Sequence, residues 1–196
     1  MKITRRSFMK LIPAVGVVVA GSALWFLAQT AREPITSQVA RTTTTGFEFP
    51  ITWNEEEPSA INPNVYRLKI DGYVSHPLEL ELEELYGMTG VQKTLKIRCV
   101  EGWEADVPWE GIPLSYLLKQ ARWSPNRAGH VTVTATTGYS TTLSSDEAKN
   151  LDNMIALKVG GAPLTIDHGY PARFVVPSRR GEDWVKCVSR ITVTSN

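Results

Sequence analysis

The sequence predicts an α+β domain, mostly β, with a mixed sheet and short helices. Three observations carry that prediction. Apolar runs of strand length outnumber apolar stripes at helical spacing. The helical stripes are short. Strands and helices do not alternate regularly, which argues against a doubly wound parallel sheet.

The chain opens on Thr4-Arg5-Arg6-Ser7-Phe8-Met9-Lys10, followed by an apolar stretch from Leu11 to about Ala28. A basic start and an apolar core form an export address, and paired arginines before Phe8 match the twin-arginine pattern. Small-x-small cleavage sites are poor here, so residues 1–30 read as a twin-arginine signal or a retained N-terminal anchor. Residues 31–50, with Thr42 to Thr45, Gly46 and Pro50, read as a linker. Residues 51–196 are the folded domain.

Within that domain Val65 to Ile70 alternates and closes at Asp71-Gly72, a strand. Leu80 to Tyr86 is a short acidic helix stopped at Gly87. Val91 to Cys99 is a strand with Leu95, Ile97 and Cys99 in one phase. Pro113 to Ala121 is a helix, with Leu114, Leu117 and Leu118 as its stripe. Val131 to Ala135 pairs through Gly138 with Tyr139 to Leu143. Ser144 and Glu147 form a capping box. Met154 to Val159, Ala172 to Val176 and Val185 to Val193 complete the sheet.

Composition narrows the function. The hydrophobic share is 42% and the charged share 21%, ordinary for a globular protein. The net charge of +1 hides four basic residues in the leader, so the remainder is mildly acidic and a nucleic-acid partner is not expected. The two cysteines are Cys99 and Cys187. An even count in an exported chain permits one disulfide. Cys187 shares the phase of Val185, Ile191 and Val193, which reads as a buried inert thiol.

Cys99 ends a strand and enters Arg98-Cys99-Val100-Glu101-Gly102-Trp103. A soft thiolate suits a transition metal, and Arg98 could favour the thiolate. If strand pairing continues to Cys99, however, Arg98 points to the opposite face. One cysteine alone makes neither a zinc nor an iron–sulfur site. It suffices if a cofactor brings further sulfurs. A buried structural thiol is the competing reading. A cysteine hydrolase would need a base such as His130 or His168, and no nucleophile motif accompanies either.

Arg-Cys-Val-Glu-Gly-Trp, followed by Val107-Pro108-Trp109-Glu110-Gly111-Ile112-Pro113-Leu114, resembles the molybdenum-ligand segment of the sulfite-oxidase family. The likeness is greatest to its protein methionine-sulfoxide reductase branch. A second block, His168-Gly169-Tyr170-Pro171-Ala172-Arg173-Phe174-Val175-Val176-Pro177 through Gly181 to Trp184-Val185-Lys186, is similar to the family's pterin-binding segment. Together with Val65 to Gly72, the resemblance spans roughly residues 50–195.

The resemblance implies a sulfite-oxidase-type fold and one molybdenum–molybdopterin per chain, with Cys99 as its protein ligand. It implies cofactor contacts from His168, Arg173, Gly181, Glu182 and Asp183. The last two stand where related reductases carry an aromatic and a lysine. The family's mid-chain threonine contact falls on Thr134, Thr136 or Thr137. Arg98 and Arg173 are candidates for steering an anion or polarising a leaving oxygen. The implied activity is oxygen-atom transfer, of the sulfoxide-reducing kind, with sulfite dehydrogenation as the alternative. The chain has no haem motif and no cluster cysteines, so electrons would pass through an external haem membrane protein or cytochrome. A metal-free anchored module with a Cys99–Cys187 bridge is the non-enzymatic alternative.

Overall fold

The computed structural model describes residues 47, 49–51, 60–88, 90–126 and 128–195. The chain divides into two compact units, Met1–Ala40 and Arg41–Asn196, and every described residue belongs to the second. The twin-arginine segment therefore lies outside the described residues.

Among the described residues, ten strands form two sheets. The first has the order β2-β1-β10-β5-β6, from β1 (Arg67–Gly72), β2 (Leu78–Glu81), β5 (Ala128–Ala135), β6 (Ser140–Ser144) and β10 (Val188–Ser195). The second has the order β3-β4-β7-β8, from β3 (Val91–Arg98), β4 (Glu104–Pro113), β7 (Met154–Val159) and β8 (Ala162–Pro163), with β9 (Arg173–Val175) paired to β7. Among the described residues only β1 and β10 run parallel; the other named pairs are antiparallel. The helices are α1 (Leu82–Gly87), α2 (Leu114–Gln120) and α3 (Ser145–Ala148), with a 3₁₀ turn at Gly181–Asp183. This is the mixed-sheet α+β architecture that the sequence predicts.

Three elements differ in detail from the sequence reading. The predicted helix at Leu80 begins two residues late, because Leu80 and Glu81 are ladder residues of β2. Leu80 stands opposite Leu68, and Glu81 opposite Arg67, with which it forms a 2.5 Å ion pair. Glu81 then caps α1 through a reciprocal box with Glu84. The last strand starts at Val188 rather than Val185, because Cys187 adopts φ 50° and breaks the extended run.

The ten-residue β4 is the third. Pro108, Gly111 and Pro113 each argue against a strand. The ladder accommodates them: Pro108 supplies no N–H, but its carbonyl accepts from the Gly160 N–H at 2.9 Å, and the pairing with β7 shifts register between Glu110 and Gly111.

Both sheets turn apolar rows inward, including Leu68, Ile70, Val131, Val133, Ile191 and Val193 from the first and Val107, Trp109, Ile112, Ile155 and Phe174 from the second. The stretch from Ala172 to Val188 ties them together. Phe174 N–H donates to the Val185 carbonyl, and Val188 N–H to the Ala172 carbonyl, both at 2.8 Å.

Candidate functional site

The strand phase of β3 decides which residues meet at the site. Ile97 and Cys99 fall on the buried face, at 2% and 9% exposure. Arg98 falls on the other face, its side chain 55% exposed and 3.9 Å from Glu104. Past Cys99 the chain turns tightly. Cys99 N–H donates to the Trp103 carbonyl (2.9 Å) and Gly102 N–H to the Cys99 carbonyl (3.2 Å). This brings Trp103 back beside the cysteine.

The facing wall comes from the His168–Arg173 segment. Gly169 has φ 100°, and a Cβ there would lie 3.1 Å from the Lys186 Cα and 3.2 Å from the Arg173 Cβ. Only glycine lets the chain pass so close, and the passage gathers His168, Arg173 and Lys186. All three are buried. Arg173 donates to the His168 carbonyl at 3.2 Å, and its guanidinium lies 5.5 to 6.0 Å from the ring centroids of Trp109, Phe49 and Trp184. Aromatic faces offset part of the cost of burying that charge.

Cys99, Val100, Trp103, His168, Arg173, Gly181, Glu182 and Lys186 line one cleft of about 360 Å³, its open mouth included. Phe49, Pro50 and Ile51 also line it. Its buried charges are the cations Arg173 and Lys186, while Asp167 and Glu182 line it in more exposed positions. Burial holds the His168 pKa below the ordinary imidazole value, and the nearby Arg173 and Lys186 charges push it the same way. The ring is therefore neutral near pH 7. Its Nδ1 meets Thr165 Oγ1 at 2.9 Å.

The sequence-derived candidates divide accordingly. Cys99, His168, Arg173, Gly181 and Glu182 come together. Arg98 and Asp183 do not line the cleft. Alternation turns the Arg98 side chain outward, though its carbonyl would lie 3.4 Å from a Cβ on Gly181. The Asp183 carboxylate turns to Thr141 Oγ1 (2.6 Å) and Arg179 (3.5 Å). Thr134, Thr136 and Thr137 are not among the lining residues. Cys99 and Cys187 are not bridged to each other, which overturns the disulfide-linked module. Cys187 is buried at the entry to β10, its N–H donating to the Gly169 carbonyl at 3.2 Å.

Sequence reasoning missed Lys186 as a cleft group and missed Phe49 altogether. Lys186 stands at the end of the second motif block, outside the set of implied cofactor contacts. Phe49 lay in a stretch without periodicity, which hides a residue that packs by tertiary contact alone.

The lining suits a metal-bearing, phosphorylated pterin. A thiol is available to a soft metal. Buried arginine and lysine suit a phosphate. The Trp103 indole N–H is buried without a hydrogen-bond partner among the described residues, a donor left for a polar ligand.

Comparison with known proteins agrees. The family model described as the oxidoreductase molybdopterin binding domain matches residues 55–196. The protein-methionine-sulfoxide reductase catalytic subunit MsrP of Gluconobacter oxydans is 33% identical over 69% of this chain and 49% of its own length. The oxidoreductase YuiH of Bacillus subtilis is 29% identical over 66% of this chain and 65% of its own. The crystal structure of the sulfane dehydrogenase SoxCD from Paracoccus pantotrophus aligns with TM-score 0.64 at 26% identity, over 70% of this chain and 40% of that one. The chain thus spans only 49% and 65% of the length of these two curated relatives.

Proposed function

Because the chain belongs to the oxidoreductase family defined by the molybdopterin-binding domain, we propose that its cleft holds one molybdenum–molybdopterin and that the protein transfers oxygen atoms, reducing a sulfoxide-type substrate. The observation that supports this most is the meeting of the Cys99 thiol with three buried nitrogenous side chains, His168, Arg173 and Lys186, in one cleft.

In this reading the Cys99 thiolate is the protein's metal ligand. Arg173 and Lys186 hold the phosphate, Trp103 and the Gly181–Glu182 backbone orient the pterin, and neutral His168 donates one hydrogen bond. Bound in this way, the cofactor supplies two-electron oxygen-atom chemistry that side chains lack. The chain's own contribution is electrostatic and positional. The buried charges act in a water-poor cleft, where they need no reorganisation. Electrons come from an external redox partner, such as a haem membrane protein or a cytochrome. Arg98, exposed beside the Cys99 turn, belongs to the surface such a partner would meet.

We also propose export through the twin-arginine segment at residues 1–30, which would put the domain in the periplasm or on the outer face of the cytoplasmic membrane. A second reading, oxidation of a sulfur substrate such as sulfite, draws on the likeness to the sulfane dehydrogenase SoxCD.

The test is maturation in a molybdopterin-competent host, metal analysis, then turnover with a protein or peptide sulfoxide and with sulfite. Molybdenum near one per chain with sulfoxide turnover supports the first reading. Sulfite turnover alone selects the second. Chain that matures without molybdenum would sink both.

A further inference from the structure

Phe47, Phe49, Pro50 and Ile51 lie upstream of residues 55–196, where the family match begins. Phe49 is nonetheless 8% exposed and is packed on the site. Its ring centroid lies 4.4 Å from that of His168, 5.5 Å edge-on from that of Trp109 and 6.3 Å from that of Trp103. The Arg173 guanidinium stands 5.9 Å from the same ring. Contacts of this kind fix ring orientation as well as burying area.

The segment has a second anchor. The Phe47 backbone crosses Gly160, where φ is 59° and an added Cβ would sit 2.6 Å from the Phe47 nitrogen. A side chain there would collide with backbone, so glycine at this position leaves a notch that seats the strap. The two anchors are linked, since the Phe47 and Phe49 rings are 6.5 Å apart.

Phe49 also reaches His168 through its main chain. Its carbonyl faces His168 Nε2 at 3.4 Å, while Nδ1 meets the Thr165 hydroxyl. A carbonyl only accepts, so the neutral ring carries its proton on Nε2 and accepts at Nδ1. At 3.4 Å the Nε2 contact is long, and is readily exchanged for a ligand.

We propose that Phe49 is a positioning residue: seated through Phe47 over Gly160, it holds the His168 ring and the Arg173 guanidinium in register and walls the cleft onto which Cys99 opens. The inference concerns the chain's own groups and stands whether or not the cofactor reading does.

The experiment uses the full chain prepared without cofactor, in three forms: parent, Phe49→Ala and Gly160→Ala. Iodoacetamide labelling is followed by mass spectrometry at both cysteines. Loss of the strap is expected to speed Cys99 labelling about tenfold in each variant through local opening, while Cys187, at 1% exposure, labels as in the parent. Nitrogen NMR of labelled histidines is the second readout. In Phe49→Ala the strap unseats and carries its carbonyl away, so His168 loses its single Nε2–H tautomer; the signals of His76 and His130 are unmoved, and Phe49→Leu restores part of the parent signal. Unchanged Cys99 labelling in both variants overturns the proposal. So does a joint rise at Cys99 and Cys187, which reports general loosening, including a variant that fails to fold.

Discussion

Cys99 takes its direction from the strand before it. Ile97 and Cys99 share the inward phase, so the thiol reaches the cleft without any special loop geometry. Serine keeps the size and loses the soft sulfur. Cys99→Ser is therefore expected to melt within a few degrees of the parent while molybdenum content and turnover both fall to background. Circular dichroism and metal analysis check this, and normal turnover in the variant would remove the ligand assignment. His168 gives a pH prediction. Its pKa is lowered in the folded chain by burial and by Arg173 and Lys186, so the unfolded chain takes up a proton at higher pH than the folded one. The stability tied to the neutral ring is complete above the unfolded value of about 6.5 and is lost as pH falls through the folded value. In the cofactor-free chain, urea midpoints between pH 7 and pH 5 should fall more steeply for the parent than for His168→Asn. Equal slopes would contradict the assignment.

At the scale of elements, the loop that carries Gly181 and Glu182 is held from outside the cleft. Ser144 caps α3, accepting from Glu147 N–H, and the Glu147 carboxylate returns to Ser144 N–H at 2.9 Å. That carboxylate also receives Arg179 Nε and Nη2, at 3.0 and 2.8 Å. Arg179 in turn reaches Asp183, and Tyr139 donates its hydroxyl to the Glu182 carbonyl at 2.8 Å. Hydrogen bonds from Ser144 N–H and then Arg179 hold the Glu147 carboxyl below the usual carboxylate range. Ser144→Ala should cost about 1 kcal/mol, the ordinary loss for an N-cap. Chemical denaturation measures it. Arg179→Ala removes a partly exposed ion pair, worth about 1 kcal/mol or less, yet is expected to accelerate exchange of amides 180–184. Unaltered exchange there would reduce the network to ordinary surface pairing.

At the scale of the molecule, Cys99, the basic groups and Phe49 are distributed over much of the chain, and the fold brings their segments together at one cleft. Much of the Ala172–Val188 stretch is buried with the core rows, so the site residues it carries are set by the packing of the domain. Delivery is a whole-chain property as well. Replacing Arg5 and Arg6 together by lysine is expected to leave the domain folded but retained in the cytoplasm. Cell fractionation reports it, and undiminished export of that variant would count against the twin-arginine route.

Alternation and turn chemistry are local, so the phase of Cys99 against Arg98, the hairpin through Gly138 and the capping box at Ser144 were legible from the residues alone. The motif blocks around Cys99 and His168 likewise pointed to the family before any geometry. What local pattern cannot carry is a contact made across the fold. Strand β4 forms despite Pro108 and Pro113 because neighbours on both sides complete its ladder. Asp183 leaves the cleft because Thr141, distant in sequence, joins the nearby Arg179 in holding its carboxylate. Lys186 enters because Gly169 lets two backbones nearly touch, and Phe49 reaches His168 because Gly160 leaves room for the strap. Each depends on which surfaces the two sheets bring together, and that is set by the closing of the core.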